Sequence, residues 1–276
     1  MTLILAATPL GNPGDASPRL KGAIENASII AAEDSRRFHR LCADIDVTFT
    51  ARILSFFEGN EEDRTRELIS ELKSGATVLV VSDAGMPTIS DPGFRLLRDA
   101  ITEGIEIFVI PGPSAVTMSV ALSGLPTDRF SFEGFPPRTA SARLATFEKL
   151  RFEERTMVFF EAPHRLVDSL SDAVSVFGTD RLAAICREMT KRYEETIRGT
   201  LGELSAWASN NEVLGEITLV IAGAISDSAS LTAADMVGRV REFEAAGMDR
   251  KSAIATVAEE FGIAKRLVYA AVVDAN

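Results

Sequence analysis

The chain has 276 residues, of which 46% are hydrophobic and 25% charged, a globular balance that excludes disordered, collagen-like and low-complexity proteins. Two cysteines far apart and two histidines provide neither a disulfide framework nor a CxxC motif, and two histidines alone do not build a zinc site, so we predict no metal. The net charge of −11 argues against broad non-specific nucleic-acid binding but leaves room for a local basic cleft.

The N-terminus has no basic region before its short apolar stretch, so it does not resemble a secretory signal. No run approaches the roughly 18 apolar residues that a membrane span needs. These two observations predict a cytoplasmic protein with no membrane partner.

Short apolar runs alternate with helical patterns over the first 125 residues. The runs at residues 3–7, 28–32, 76–81 and 105–110 predict buried strands. Alternation of this kind is typical of a largely parallel α/β sheet with helices on its faces.

Capping residues and prolines predict where the helices of this part begin and end. Ser17-Pro18 starts the first helix, and Asn60 caps a helix that carries Leu68, Ile69 and Leu72. Asp91-Pro92 starts another helix, with one apolar face formed by Phe94, Leu97 and Ile101, and Gly124 closes a small-residue helix after Pro111–Ser114.

A proline-bearing stretch, residues 126–138, precedes a second α/β section with predicted strands at Thr156–Glu161, Arg181–Arg187 and Glu216–Ala222. Residues 224–230 are small and polar, like a linker, and a helical tail follows with a helix-turn-helix-like pattern in residues 251–273. The predicted division is residues 1–125 and 126–225 for two α/β domains and residues 226–276 for a helical module.

Three loops after first-domain strands are rich in glycine, proline and small residues, and such loops gather where open parallel sheets bind ligands. The longest, Ser82–Gly93, has almost no side-chain bulk, so backbone groups can approach a purine-bearing ligand closely. The first loop, Leu10–Asp15, is neither a P-loop nor a dinucleotide fingerprint, because a following Lys-Ser/Thr and the GxGxxG spacing are both missing.

An ordered set of motifs within residues 1–225 resembles the ribosomal RNA small subunit methyltransferase I family of the tetrapyrrole-methylase superfamily, the class III methyltransferases. The set consists of Thr8–Asp15, Ala32–Arg36, Ser82–Gly85 with Ser90–Gly93, Pro111–Ala115, Phe132–Arg138, Glu161–Arg165 and Arg187–Lys191. The resemblance implies two α/β domains with S-adenosylmethionine between them, usually in a homodimer. It also implies 2′-O-methylation of a cytidine ribose in small-subunit ribosomal RNA, free or in the assembled subunit.

The same resemblance implies the cofactor contacts, which come from both domains. They are Leu10, Asp83, Ala84, Met86, Ile89, Ser114, Ala115, Met189 and Ile217. Met86 stands where the superfamily has an aspartate, which puts a carboxylate contact there in doubt.

Three residues after second-domain strands are candidates for the chemistry, because a ribose hydroxyl is a poor nucleophile and needs a base or an electrostatic helper. Glu161, after the strand Thr156–Phe160, is the candidate base. Glu188 and Lys191 follow the strand that ends near Cys186, and Lys191 would lower the cost of alkoxide character. The alternative is that Glu161 pairs with Arg165 or Arg187 as part of the scaffold.

Basic residues beside the cleft are the candidates for RNA contact. Arg36 and Arg37, with Arg40, would hold phosphates, and Arg165 is a further candidate for substrate binding. His164 would stack on a base or form a hydrogen bond with it, and the alternative is a structural histidine. The alternative is a solvated helix whose arginines pair with neighbouring carboxylates.

Two other functions compete with RNA methylation. A tetrapyrrole C-methyltransferase would use the same fold and cofactor on a corrinoid precursor, and a non-catalytic regulator would bind nucleic acid through the terminal helices. The motifs at Ala32–Arg36 and Glu161–Arg165 favour RNA over a tetrapyrrole, and the acidic balance counts against the regulator.

Overall fold

The computed structural model describes residues 1–224, 233–261 and 263–275. Its N-terminal part contains a five-stranded sheet whose strands are β1 (Thr2–Ala6), β2 (Ile29–Ala32), β3 (Arg52–Ser55), β4 (Thr77–Val81) and β5 (Glu106–Ile110). All neighbouring pairs are parallel, in the order β3-β2-β4-β1-β5. The predicted parallel sheet is confirmed.

Four helices cover this sheet: α1 (Pro18–Asn26), α2 (Ser35–Asp44), α3 (Glu61–Lys73) and α4 (Phe94–Thr102). A fifth helix, α5 (Ala115–Ser123), follows β5 and packs against the second sheet. The Ser17 hydroxyl accepts a hydrogen bond from the Leu20 N–H at 3.1 Å, which confirms the predicted start of α1. Gly124 ends α5 in the left-handed conformation, at a φ of 75°, where glycine carries no Cβ penalty.

The predicted cap of α3 is wrong in its mechanism. Asn60 precedes the helix, but its side chain bonds backward, accepting from the Phe57 N–H at 2.9 Å and donating to the Ser55 carbonyl at 3.0 Å. An Asn side chain competes for any nearby backbone group, and here the tight turn before the helix offers closer partners.

The predicted start and buried face of α4 are also wrong. The helix begins at Phe94, and it buries Leu96 and Ala100, while Phe94 and Ile101 are exposed. The start moves because the Glu61 carboxylate of α3 accepts the Gly93 N–H at 2.9 Å, so a side chain remote in sequence caps the helix.

The second sheet is mixed. Its strands are β6 (Phe130–Gly134), β7 (Thr156–Glu161), β8 (Leu182–Arg187), β9 (Glu195–Thr200) and β10 (Ile217–Ile221), in the order β6-β7-β10-β8-β9. Only β6 and β7 are parallel, and the other pairs are antiparallel. The sequence indicated β7, β8 and β10 but missed the two edge strands, which carry few of the apolar residues that mark a buried strand. The helices of this part are α6 (Ala140–Leu150), α7 (Leu166–Phe177) and α8 (Leu201–Asn210).

Helix α5 connects the two sheets. Val116 and Val120 of this helix pack in one buried cluster with Val158 of β7 and Val220 of β10. The division at residue 125 stays a prediction, because a helix on its N-terminal side packs against the second sheet.

The C-terminal part is a bundle of α9 (Ala233–Ala245), α10 (Arg250–Glu260) and α11 (Lys265–Asp274). Val240, Val257 and Val268, one from each helix, are buried together. The predicted linker lies outside the described residues apart from Ala224, as does the glycine of the predicted turn, Gly262. Within the described ranges, no helix has the length and apolar character needed to cross a membrane.

Candidate active site

A cavity of about 460 Å³ lies between the two sheets, where the carboxyl ends of the first sheet's strands meet the second sheet. Loops after β1, β2 and β4 and the start of α5 form one wall, and β7, β10 and the loops beside them form the other. The lining residues used below are Leu10, Glu33, Arg37, Asp83, Ala84, Asp91, Ala115, Phe135, Phe160, Glu161, Met189 and Ile217. A smaller cavity of about 60 Å³ shares Leu10, Ala84, Asp91, Ala115 and Phe160 with it and adds Met86, Ile89 and Ser114.

Hydrogen bonds between the loops hold the first wall together. The Thr8 N–H donates to the Gly85 carbonyl at 2.9 Å, the Gly85 N–H donates to the Thr8 carbonyl at 3.1 Å, and the Thr8 hydroxyl donates to the Ser82 carbonyl. The third loop, Pro111–Ser114 after β5, lies so close to the end of β1 that a Cβ on Gly112 would stand 2.9 Å from the Ala7 side chain. Because the three loops hold one another, the small residues between them keep a fixed surface.

Three carboxylates share this wall, two of which the sequence analysis did not single out: Glu33 and Asp91. Asp83 accepts the Asp34 N–H at 3.0 Å and pairs with Arg37 at 3.2 Å, and the Asp83 N–H donates to Glu33 at 3.1 Å. Burial raises the pKa of Glu33 and of Asp83. Burial, aided by the charge of Glu33, raises the pKa of Asp91 to about 7.

Glu161, at the end of β7, is buried, and both of its carboxylate oxygens accept hydrogen bonds. It accepts hydrogen bonds from the Ser169 hydroxyl and, at 2.8 Å, from the N–H of the residue that follows it, and it pairs with Arg165 at 3.4 Å. Arg165 in turn donates to the carbonyls of Pro136 and Pro137 at 2.6 and 3.0 Å. Glu161 therefore lines the cavity and also supports the loop after β6.

Glu188 and Lys191 form an ionic cluster at the edge of the cleft. Glu188 accepts from the Lys191 ammonium and from the Glu216 N–H, both at 2.9 Å, and the Lys191 ammonium also lies 3.1 Å from the Glu216 carboxylate. Burial opposes ionisation of Glu188, but the Glu216 N–H and the Lys191 charge outweigh it and lower the pKa of that carboxyl. Neither Glu188 nor Lys191 lines the cavity, although Met189 and Glu216 beside them do.

The family model for Tetrapyrrole (Corrin/Porphyrin) Methylases matches residues 2–205 of this chain. The chain is 48% identical over 275 residues to the Ribosomal RNA small subunit methyltransferase I of Mycobacterium bovis, covering 99% of this chain and 95% of that relative. The chain belongs to the ribosomal RNA small subunit methyltransferase I family. It is therefore a methyltransferase, with the tetrapyrrole methylase fold that the sequence predicted.

One further comparison supports the family and another supports the fold. The Ribosomal RNA small subunit methyltransferase I of Halalkalibacterium halodurans is 40% identical over 272 residues, which cover 97% of this chain and 93% of the relative. A uroporphyrin-III C-methyltransferase from Thermus thermophilus complexed with S-adenyl homocysteine has the same fold, with a TM-score of 0.54 at 15% identity, covering 80% of this chain and 96% of the other.

In this methyltransferase all nine predicted cofactor residues line one or both cavities. Five come together in the larger cavity from distant parts of the chain: Leu10, Ala84 and Ala115 from the first wall, and Met189 and Ile217 from the second. Asp83 lies there too, but its carboxylate is held by Asp34 and Arg37. The contacts themselves stay a prediction.

The predicted RNA residues are dispersed. The Arg36 side chain is 92% exposed and 3.7 Å from Asp34, whereas Arg37 lines the cavity in its ion pair with Asp83. His164 is exposed on the turn after β7, and Arg165 faces the proline carbonyls. Of the residues predicted to contact RNA, Arg36, Arg40 and His164 therefore expose their side chains to a large partner.

Phe135 and Phe160, like the two carboxylates, were not predicted from the sequence as site residues. Both rings line the larger cavity, Phe135 from the loop after β6 and Phe160 from β7. A signal for Phe135 was present, because the motif Phe132–Arg138 carries an aromatic residue directly after a glycine and before two prolines. Among the described residues, no group of three or more His, Cys, Asp or Glu side chains is placed to hold a metal ion.

Proposed function

We propose that this chain transfers a methyl group from S-adenosylmethionine to the 2′-hydroxyl of a cytidine ribose in small-subunit ribosomal RNA. The observation that carries the proposal is the cleft between the sheets, in a chain that is similar over nearly its full length to proteins named as methyltransferases of small-subunit ribosomal RNA. We extend the proposal to a cytoplasmic setting, where the partner is the ribosomal RNA or the assembled small subunit.

The residues of the cleft fit the cofactor. Its volume of about 460 Å³ is within the range of small-molecule sites. Leu10, Ala84, Met189 and Ile217 offer apolar surface from both walls, and the carboxylates of the first wall suit a cationic sulfonium compound. When bound, S-adenosylmethionine supplies a methyl group activated by the positive charge on its sulfur.

The chain's own contribution is to position the acceptor hydroxyl and receive its proton. Asp91 lines both cavities, and its carboxylate is the acceptor that the geometry supports best. Its raised pKa matches the work of a base at neutral pH. Glu161 stays a candidate base, but its hydrogen bonds suit the role of holding Arg165 and the loop after β6.

We propose that Glu188 and Lys191 hold other parts of the site in place. The ion pairs of Lys191 with Glu188 and Glu216 fix the loop in which Met189 faces the cleft. They also place the Lys191 side chain against Gly11 in the first-domain loop. In this way the ionic cluster holds the two walls at the separation that the cofactor requires.

RNA contact is proposed for Arg36 and His164, with Arg37 and Arg165 closer to the cleft. Because the whole molecule carries a charge of −11, approach of RNA depends on such a local positive surface. A homodimer is also proposed, across the exposed apolar residues Phe108 and Val109 of edge strand β5, whose outer backbone groups have no neighbouring strand in the described sheet.

The test compares acceptors with one purified protein and labelled S-adenosylmethionine. Small-subunit particles lacking the modification, the corresponding naked RNA and a corrinoid precursor are offered separately. Label in the particles or the RNA, with none in the corrinoid, is the expected result. Label in the corrinoid alone would identify a tetrapyrrole C-methyltransferase, and no binding of S-adenosylmethionine in calorimetry would favour a non-catalytic regulator.

A further inference from the structure

An exposed aromatic ring stands at the cleft with no role in the function described so far. Phe135 is 55% exposed and lines the larger cavity. Its ring meets Phe160 edge to face, with centroids 5.6 Å apart, and Phe160 meets Phe132 in the same way at 4.8 Å. The three rings form a continuous aromatic row that ends at the exposed Phe135.

The backbone that carries Phe135 is unusually well held. Gly134 adopts a φ of 70°, and the pairing with β7 shifts register between Phe132 and Gly134. Immediately after Phe135, Arg165 binds the carbonyls of two successive prolines, whose own φ angles are restricted. Arg165, which is paired with the buried Glu161, therefore holds the loop after β6 in place. Phe135 is the exposed side chain of this loop at the cleft.

Exposure alone would not distinguish Phe135, because Phe57, Phe94 and Phe152 are also exposed. None of these three lines the cleft, and none makes a ring contact among the described residues. Phe135 combines a cavity position, a supporting ring behind it and a clamped backbone. These features suit a rigid surface for another flat ring.

We propose that Phe135 is the platform on which the base of the target nucleotide stacks, and that Arg165 is the positioning residue that holds it there. The inference rests on the proposed function. Sequence-specific enzymes that act on RNA splay a base out of its stack and receive it on aromatic side chains, because every base offers a π face. Stacking of the base would place its ribose, and so the 2′-hydroxyl, beside the carboxylate wall.

The adenine of the cofactor is the other flat ring that the cleft would receive. Six of the nine predicted cofactor residues line the larger cavity together with Phe135, so the lining alone does not separate the two rings, and the exposure of Phe135 does. Small-molecule ligands are mostly enclosed, whereas a nucleotide within a polymer needs an open side. The exposed Phe135 is on such a side.

The test measures kcat and KM for small-subunit particles and, by calorimetry, the Kd for S-adenosylmethionine. Phe135→Ala should raise the KM for particles roughly tenfold or more, the loss expected for one base–aromatic stack, with the cofactor Kd changed less than about twofold. Phe135→Tyr should restore the KM because it keeps the ring. Phe152→Ala, an equally exposed phenylalanine outside the cleft, should leave both quantities unchanged.

Arg165→Lys tests the positioning role, because a lysine cannot present the planar fork that reaches both proline carbonyls. It should raise the KM for particles, and Phe135→Ala with Arg165→Lys should be no worse than Phe135→Ala alone. An unchanged KM in Phe135→Ala, or a weakened cofactor Kd with the RNA KM unchanged, overturns the inference while the proposed function stands. Absence of methylation by the unaltered protein overturns both.

Discussion

The side chain of Lys191 lies directly across Gly11, so that a Cβ on Gly11 would stand 2.3 Å from Lys191 Cγ. These residues come from opposite walls of the cleft, 180 positions apart in the chain. The contact joins the first-domain loop to the ionic cluster of Glu188, Lys191 and Glu216. This close approach joins the two walls, beside the buried packing of α5 on the second sheet.

Gly11→Ala should displace the Lys191 side chain from its two carboxylates and weaken cofactor binding, with a cost of about 1 kcal/mol. In a Lys191→Ala background, where the obstructing side chain is gone, the same substitution should have little effect. Calorimetric titration of the four proteins in this cycle measures the coupling. Equal effects of Gly11→Ala in both backgrounds would show that the contact does not set the cleft.

Ala115→Trp should abolish cofactor binding while the fold is kept. Ala115 lines both cavities at the start of α5, and an indole there would occupy the space that the ligand needs. The expected loss of affinity is roughly 100-fold. Thr117→Trp, two residues along on the exposed part of the same helix, is the matched control and should bind normally. Normal binding by a folded Ala115→Trp protein would contradict the placement of the third loop.

Asp91 should make the protein less stable as the pH rises. Its pKa is about 7 in the folded chain against an ordinary 3.8, so the folded state retains the proton more strongly. This contribution is fully present below pH about 4 and is lost as the pH rises through about 7. Glu33 and Asp83, whose pKa values are also raised, change stability in the same direction.

Thermal midpoints of the unaltered protein and of Asp91→Asn, measured between pH 4 and pH 8, check this prediction. The midpoint of Asp91→Asn should fall less over that range, and Asp128→Asn, at an exposed position, should follow the unaltered protein. Parallel curves for Asp91→Asn and the unaltered protein would show that Asp91 is ionised throughout.

Arg36→Ala should weaken RNA binding and lower the slope of log affinity against log salt by about one unit, because one phosphate contact is lost. Cofactor affinity should not change, since Arg36 is 92% exposed and does not line the cavity. Arg37→Ala should alter cofactor affinity instead, because it releases Asp83. Arg66→Ala, an exposed arginine on α3, is the control for lost surface charge. An Arg36→Ala slope equal to that of the control would leave RNA contact at this residue without support.

The sequence predicted what depends on local periodicity and on capping chemistry. Ser17 at the start of α1, Gly124 at the end of α5 and four of the five parallel strands follow from rules that act within a few residues. The edge strand β3 was not predicted. The motifs also indicated cofactor residues that lie together at one cleft, since loops at the carboxyl ends of parallel strands meet.

What the sequence could not provide depends on contacts between distant residues. The start of α4 was mistaken because its cap, Glu61, comes from another helix. The raised pKa of Asp91 arises from burial beside Glu33, 58 positions away. The loop that carries Phe135 is held by Arg165, which follows a different strand, β7. Such relationships follow from the assembled fold and not from the spacing of residues.

The most direct test of the central claim is the identity of the methylated nucleoside. Small-subunit particles that lack the modification are incubated with the protein and isotope-labelled S-adenosylmethionine, the RNA is digested to nucleosides, and the labelled product is identified by mass spectrometry. The account predicts label on the ribose of cytidine, as 2′-O-methylcytidine, and its loss in Ala115→Trp. Label on a base, on another nucleoside or on no RNA at all would contradict it.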